Sequence, residues 1–444
     1  LKSPWQWFDS TAAVIIDELI ADDHRKAPEM TVANDFADAA ATDPNMLKWM
    51  VGSPPPPSKL IRFQDGSYYR FPQWRWSFSH WRQFWPTLTV ARGPRMRKLP
   101  CAGRADLDAV TYVPLGRTEP MTWAESLQAN YTDGIVVLHR GHIVYERYFG
   151  ALCSERPHIA FSVTKSFFGT IAATLVAEGS LDRNSTVASY IPELGASGFG
   201  DATVGQVLDM TTAIDFTEHY TADPPPTMRA YSRATGFARS PDSAPRSIYS
   251  FLATVAKQGA HGDAFTYRTP NTDVVGWLIA RVTGKSPAQV LSERIWSCLG
   301  VEDDGFLVVD DDGTPQVGLS LNVRLRDLAR FGELMRLEGR IDGGQILPAA
   351  VVADIRRGGS RAAFAKAKYQ TLPGWSYKNQ WWVSHDDHGV FMARGIHGQA
   401  IYIDPKAEMV IARFASHPLA GNVNLDPTSL PAYRAIADHL LRTS

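Results

Sequence analysis

Residues 166–180, SFFGTIAATLVAEGS, are long enough for four turns of helix and apolar nearly all the way round. A surface helix shows a single apolar stripe, so a helix with no polar face has to be enclosed on every side. This segment obliges the rest of the chain to build layers around it. With 444 residues there is material for that and for division into two or more lobes. Gly179 stands where a helix-ending glycine is expected. At the mouth of the same run, AFSVTKSFFGT (160–170) sets Ser162 three places before Lys165. With 30 serines and 12 lysines in the chain, roughly one S-x-x-K match arises by chance, so spacing alone proves nothing.

Charge and composition exclude several classes. Formal net charge is −1 with a pI near 6.9, which supplies no global field for nucleic acid or an anionic membrane. The most basic local cluster, Arg95, Arg97 and Lys98, reads as a solvated loop. No run of about 18 apolar residues exists to span a bilayer. LKSPWQWFDS lacks the basic start and continuous apolar core of a signal peptide. Cys101, Cys153 and Cys298 are few, odd in number and widely spaced, which argues against a disulfide framework or a zinc knuckle and favours a reducing, cytoplasmic setting.

Along the chain, GSPPPPSKL (52–60) reads as a stiff connector of polyproline type. FPQWRWSFSHWRQFW (71–85) carries four tryptophans and three phenylalanines, and is expected to wrap the body of the protein, with part of it at the rim of a cleft. IVVL, HRGH and IVYERYF predict a hairpin. VGQVLDMTTAI, DVVGWLIARVTG and PAQVLSERIWSCLG predict helices. NQWWVS, VFMARGI, QAIYID and MVIARFAS predict an antiparallel meander, and PAYRAIADHLLRT a final amphipathic helix. The expected fold is α+β: an antiparallel sheet flanked by helices, with a helical lobe inserted. The expected parts are an N-terminal wrapping segment (1–118), an α/β lobe (119–160 and 285–444) and the helical lobe (161–284).

Residues i and i+3 share a helix face, so the Ser162 hydroxyl and Lys165 amine can meet. In the first turn, free backbone N–H groups and the helix dipole favour the negative charge of acyl transfer. Phe161, Val163, Phe167 and Phe168 make the surroundings dry, which disfavours the ammonium form of Lys165 and readies it to take the serine proton. The plainer alternative is a capping serine beside a lysine that reaches out to solvent.

Further stretches bear on the choice: FTYRTPNTDVVGW (265–277) sets Tyr267 and Asn271 before a helix, and GIHGQAIYID (395–404) sets Gly395 and Ile396 on a strand. With FPQWRWSF, SVTKS, VLDMTTAIDFTEHY and NQWW, this ordered set resembles the serine β-lactamase and penicillin-binding protein superfamily. Within it, the chain is most similar to the class C-like esterases and the 6-aminohexanoate-oligomer hydrolases, from about residue 50 onward. The resemblance implies Ser162 as nucleophile, Lys165 as general base and Tyr267 as proton relay. It implies an oxyanion hole from the N–H groups of Ser162 and Ile396. It further implies Tyr220 hydrogen-bonded to the amide nitrogen of a substrate, and Trp382 as a pocket wall, with Asn271 and His397 as further substrate contacts.

Two departures bear on substrate. Where penicillin-recognising enzymes carry K-T-G, this chain reads ARGIHGQ, leaving Arg394 or His397 as the cation for a carboxylate. The oligomer hydrolases hold a terminal ammonium with a carboxylate shortly after the Tyr220 position. Here TADPPPTMRAYSRATGF offers Asp223 alone, and the counted position falls near Tyr231.

SHDDHG (384–389) has metal-ligand residue types but reads as a hairpin loop. P-loop, H-E-x-x-H, G-x-G-x-x-G and G-x-S-x-G patterns are missing, and no cofactor is called for. The expected activity, on that resemblance, is a serine hydrolase that cleaves an amide bond in small linear substrates of the 6-aminohexanoate-oligomer type through an acyl-enzyme. A short-chain carboxylesterase is the alternative within enzymes, and a silent binding protein the alternative outside them. No nucleic-acid or membrane partner is expected, and a homodimer is compatible with the chain.

Overall fold

The predicted hairpin forms one edge of a seven-stranded antiparallel sheet in the computed structural model, which describes residues 36–218, 220, 224–238 and 247–443. Its strands are β1 (Thr132–His139) and β2 (His142–Tyr148). Arg140 and Gly141 between them both have positive φ, as a two-residue turn matched to strand twist requires. The predicted meander supplies β3 (Ser376–Lys378), β4 (Trp381–Val383), β5 (Phe391–Gly395), β6 (Gln399–Asp404) and β7 (Met409–Ala415). Spatial order is β3-β4-β5-β6-β7-β1-β2, with β7 returning to lie beside β1.

The sheet is apolar on both faces because helices cover both. Around it lie α1 (Val163–Ala177), α2 (Val204–Leu208), α3 (Pro226–Ala234), α4 (Pro270–Thr283), α5 (Leu325–Arg336) and α6 (Asp426–Thr443), with shorter helices between them. Val136, Leu138, Val410 and Ala412 point to the side of α1 and α5. Ile135, Val137, Ile411 and Tyr402 point to the side of α6, against Tyr433, Ile436 and Leu440. Alternate residues of each strand thus reach separate cores.

Helix α1 is enclosed as its composition demands, with 13 of its 15 residues buried. It starts three residues earlier than SFFGTIAATLVAEGS suggests, so Lys165 lies inside its first turn. Gly179, at φ +79°, follows its end. Full burial of Phe167, Phe168, Ile171 and Leu175 contributes about 1.5–3 kcal/mol each. At Gly169 the helix crosses the β3–β4 turn so closely that an added Cβ would stand 2.2 Å from the Asn379 carbonyl oxygen. Ser166 donates to Gln380 O at 2.7 Å, and Trp381 Nε1 donates to Thr170 Oγ1 at 3.0 Å.

Some expectations are corrected. VGQVLDMTTAI is helical only over α2, which a Thr203–Gln206 capping box starts; Met210, at φ +51°, lies just beyond it. The final helix begins at Asp426 rather than Pro431. IWSCLG tightens to a single 3-10 turn, Trp296–Cys298. Among the described residues no helix is long and apolar enough to cross a membrane.

The aromatic segment does wrap the body. Tyr68, Phe78, Trp81 and Trp85 form a cluster with Ile159, Phe161 and Val308, and Ile396 packs against it. A strand after it, Thr87–Val90, opens a second sheet of four short strands, whose last member, His158–Ile159, leads directly to Ser162.

Candidate active site

Ser162 sits where strand His158–Ile159 turns into α1. The turn is made by Phe161 at φ +42°, a left-handed conformation that costs a non-glycine residue about 1–3 kcal/mol. The ring of Phe161 is wedged edge-on against Phe78, centroids 4.9 Å apart, which holds it there. The aromatic wrap therefore supports the backbone that presents Ser162. Its side chain caps no N–H of the helix, which removes the capping alternative.

Lys165 is 1% exposed and reaches no solvent. Its Nζ lies 2.9 Å from Ser162 Oγ and donates to Gly318 O at 2.5 Å. Burial pushes its amine down to about 8, against the opposing pull of Glu218 and Asp273. A neutral amine that donates to the Gly318 carbonyl keeps its lone pair for the serine proton. The Tyr267 ring lies beside it, with Nζ 5.2 Å from the ring centroid. Burial and the charge of Glu218 raise the Tyr267 phenol well above its ordinary value, while the Ser162 hydroxyl pulls it the other way. Three of the expected residues thus converge on one spot.

The backbone at Gly395 and Ile396 runs directly beside the nucleophile. A Cβ on Gly395 would stand 2.8 Å from Ala160 O and 3.1 Å from Ser162 N. Ile396 O accepts from Gln399 Nε2 at 3.0 Å, so the glutamine of GIHGQ braces this turn. Among the described residues, no backbone carbonyl accepts from the Ser162 N–H.

Trp382 stacks on Tyr267, centroids 5.6 Å apart and 26° between planes, with the Arg394 guanidinium 5.0 Å from its ring centroid. Tyr220 is 41% exposed, and its hydroxyl donates to Glu218 Oε1 at 2.6 Å.

Two residues expected to contact substrate are buried and bonded within the protein. Asn271 is fully buried; its Oδ1 accepts from Thr212 Oγ1 at 2.6 Å and its Nδ2 donates to Arg268 O at 3.1 Å. Four residues beyond Tyr267, it has turned into the core with α4. His397 is buried at φ +61° with both ring nitrogens engaged, Nδ1 with His417 O at 2.7 Å and Nε2 with the Tyr69 hydroxyl at 3.0 Å. Burial lowers it to about 3, so it is a neutral brace and not a cation. A neutral ring that donates from Nδ1 accepts from Tyr69 at Nε2. Arg394 is equally engaged, by Asp426 at 2.5 Å. Both side chains are thus held by partners within the protein.

Tyr231, at the counted position of the missing carboxylate, is buried and donates to Asp273 Oδ2 at 2.7 Å. Asp223 lies outside the described residues. SHDDHG does form the loop between β4 and β5, and His388 Nδ1 is held by Asp404 at 2.6 Å.

Sequence reasoning missed Glu218, Asp273, Gly318 and Tyr69. Asp273 had a signal: like Lys165, it is a charged residue on an almost wholly apolar helix. Asp273 Oδ1 has no hydrogen-bond partner among the described residues, and an added Cβ on Gly318 would lie 3.3 Å from it. Gly318 therefore touches both Lys165 and Asp273. Glu218 sat in view two residues before Tyr220 in DFTEHY. Gly318 and Tyr69 carried no local signal.

Comparisons with known proteins bear on the family and the fold. The family model described as Beta-lactamase matches residues 125–428. A 6-aminohexanoate-dimer hydrolase of Paenarthrobacter ureafaciens is 32% identical over 353 residues, 79% of this chain and 88% of that protein. A solved structure from Bacillus anthracis, provisionally named a 6-aminohexanoate-dimer hydrolase, superposes with a TM-score of 0.78 at 32% identity, covering 87% of this chain and 99% of that one. A D-stereospecific amidohydrolase from Streptomyces shares the fold at 17% identity and a TM-score of 0.52, over 69% of this chain and 97% of its own.

Proposed function

The chain belongs to the beta-lactamase family of hydrolases, and from that premise we propose that it cleaves an amide bond in small linear substrates of the 6-aminohexanoate-oligomer type, through an acyl-enzyme on Ser162. The observation that carries this reading is the buried Lys165 amine 2.9 Å from the Ser162 hydroxyl. A lysine with a solvated ammonium is almost fully protonated at neutral pH and takes no proton; this one is desolvated.

In the proposed cycle Ser162 Oγ attacks the carbonyl carbon as its proton passes to Lys165 Nζ. The N–H groups of Ser162 and Ile396 receive the oxyanion, an interaction whose loss typically costs ~10²–10³ in rate. The proton then travels through Tyr267 to the leaving nitrogen, the C–N bond breaks, and the amine departs. Water enters, gives a proton to the same relay, and attacks the ester; breakage of the acyl–Oγ bond returns the proton to Ser162. Trp382 walls the pocket, and the Tyr220 hydroxyl oxygen accepts from the amide N–H. Linear 6-aminohexanoate oligomers suit the reading because two relatives at 32% identity carry that activity in their names.

The test is hydrolysis of the linear 6-aminohexanoate dimer and of a p-nitrophenyl short-chain ester, with Ser162→Ala as control. Cleavage of both, abolished in the variant, supports the amidase. Cleavage of the ester alone moves a short-chain carboxylesterase into first place. A serine that resists a fluorophosphonate label, together with no turnover, points to a silent binding protein.

A further inference from the structure

Glu218 lies between the exposed Tyr220 and the N-terminus of α4, and every contact it makes there is to a donor. Its Oε2 accepts the Thr269 backbone N–H at 2.5 Å. Its Oε1 accepts the Thr269 hydroxyl at 2.8 Å and the Tyr220 hydroxyl at 2.6 Å. Thr269 is the residue that precedes α4 and is buried, so its N–H is fixed in place and belongs to the positive end of a 14-residue helix. The carboxylate is anchored at one end and receives the phenol at the other.

A phenol has one proton and two lone pairs. When that proton is directed at Glu218, only the lone pairs of the Tyr220 oxygen remain for anything in the cleft. We propose that Glu218 is a positioning residue that makes Tyr220 a hydrogen-bond acceptor towards substrate, and thereby sets the preference of the site for a leaving group with an N–H over one with a bare ester oxygen. This rests on the amide reading above and deepens it. An amide N–H finds an acceptor there, whereas an ester oxygen meets another lone pair. A polar group held for one partner discriminates against an analogue that lacks it.

The surroundings favour the same arrangement. The Glu218 charge and the Glu218 hydrogen bond both raise the Tyr220 phenol above its ordinary value, and Tyr267 and Tyr69 add to this. The proton therefore stays on the tyrosine. Glu218 also acts on the Lys165 amine, as Asp273 does, so removal of its charge shifts the pH dependence of the base for every substrate. The ratio of amide to ester turnover, read at each variant's alkaline plateau, cancels that common effect.

Glu218→Gln separates the roles. The fixed Thr269 N–H needs an acceptor, so the amide oxygen stays on that side and the NH₂ falls towards Tyr220. It then donates to the phenol and turns the phenolic proton into the cleft.

The experiment measures kcat/KM for the linear 6-aminohexanoate dimer and for p-nitrophenyl butyrate in the wild type, Glu218→Gln, Tyr220→Phe and the double variant. The expected result is an amide-to-ester ratio lowered at least about tenfold by either single change, with no further drop in the double variant. Equal losses on both substrates in Glu218→Gln overturn the proposal, as does a further drop in ratio when it is added to Tyr220→Phe. Tyr220→Phe, at a 41% exposed position, keeps the test decisive even where Glu218→Gln fails to fold: an unchanged ratio there also overturns it. A wild-type protein inert towards the dimer but active on the ester refutes the amide reading itself, a different outcome from a wild type that cleaves both and a ratio that does not move.

Discussion

Gly395 and Ser162 meet backbone to backbone: a Cβ at Gly395 would stand 3.1 Å from the Ser162 nitrogen and 2.8 Å from Ala160 O. The φ of Gly395 is −132°, an extended value open to any residue. The requirement for glycine is thus one of space, beside the N–H proposed to receive the oxyanion. Gly395→Ala is expected to lower kcat on the order of 10²-fold with little change in KM. Steady-state kinetics beside a melting curve check this, and a variant with wild-type kcat removes the oxyanion assignment.

Ser162→Ala is expected to abolish turnover and fluorophosphonate labelling without loss of fold, because the hydroxyl supports no cap and no helix hydrogen bond. Tyr267→Phe keeps the ring on Trp382 but breaks the relay, and should lower kcat by ~10²–10⁴. Retained turnover in Ser162→Ala refutes the mechanism at its root.

The pH profile should rise through an apparent value near 8, because the proposed base Lys165 has to be a neutral amine and burial brings it down to about 8. The limb belongs to Lys165 coupled to Asp273, with Tyr267 beside them, rather than to one residue. Asp273 favours the ammonium, so its removal lowers the lysine further. Asp273→Asn, which still offers Oδ1 to the Tyr231 hydroxyl, is expected to move the limb by roughly one pH unit to the acid side. An unmoved limb shows that Asp273 serves packing alone.

Stability should carry the same signature. In the unfolded chain Lys165 titrates near 10.5, and in the folded protein near 8. Between those values the unfolded state holds more protons, so this group makes stability rise with pH across that window. Below it both states are charged and the cost of burial, on the order of 3 kcal/mol, is felt in full. Lys165→Met should therefore melt above the wild type at pH 7, by a margin that narrows towards pH 10. A margin constant with pH contradicts a desolvated lysine.

The legible part of this protein was the part written in local pattern. The apolar run after Ser162 read as an enclosed helix, the short apolar runs IVVL, QAIYID and MVIARFAS between turn residues read as strands, and S-x-x-K at the start of the helix brought an amine to a hydroxyl by helical spacing alone. Run length, turn residues and the i, i+3 spacing of a helix are short-range features that lie within a few residues of one another. The corner itself was not legible: Ser162 closes the turn from His158–Ile159, and no apolar period marks it.

What tertiary structure alone decided was which polar groups remained free for chemistry. Asn271 and His397 have the right types in the right motifs, yet Thr212, Arg268, His417 and Tyr69 engage them from 59, 3, 20 and 328 residues away. Glu218 and Asp273, which no motif singled out, act on the buried Lys165 amine and bond to its neighbours. Gly318 lies 153 residues from the Lys165 it orients. A side chain's role in a low-dielectric site depends on its partners and on what surrounds it, and both arrive from distant parts of the chain.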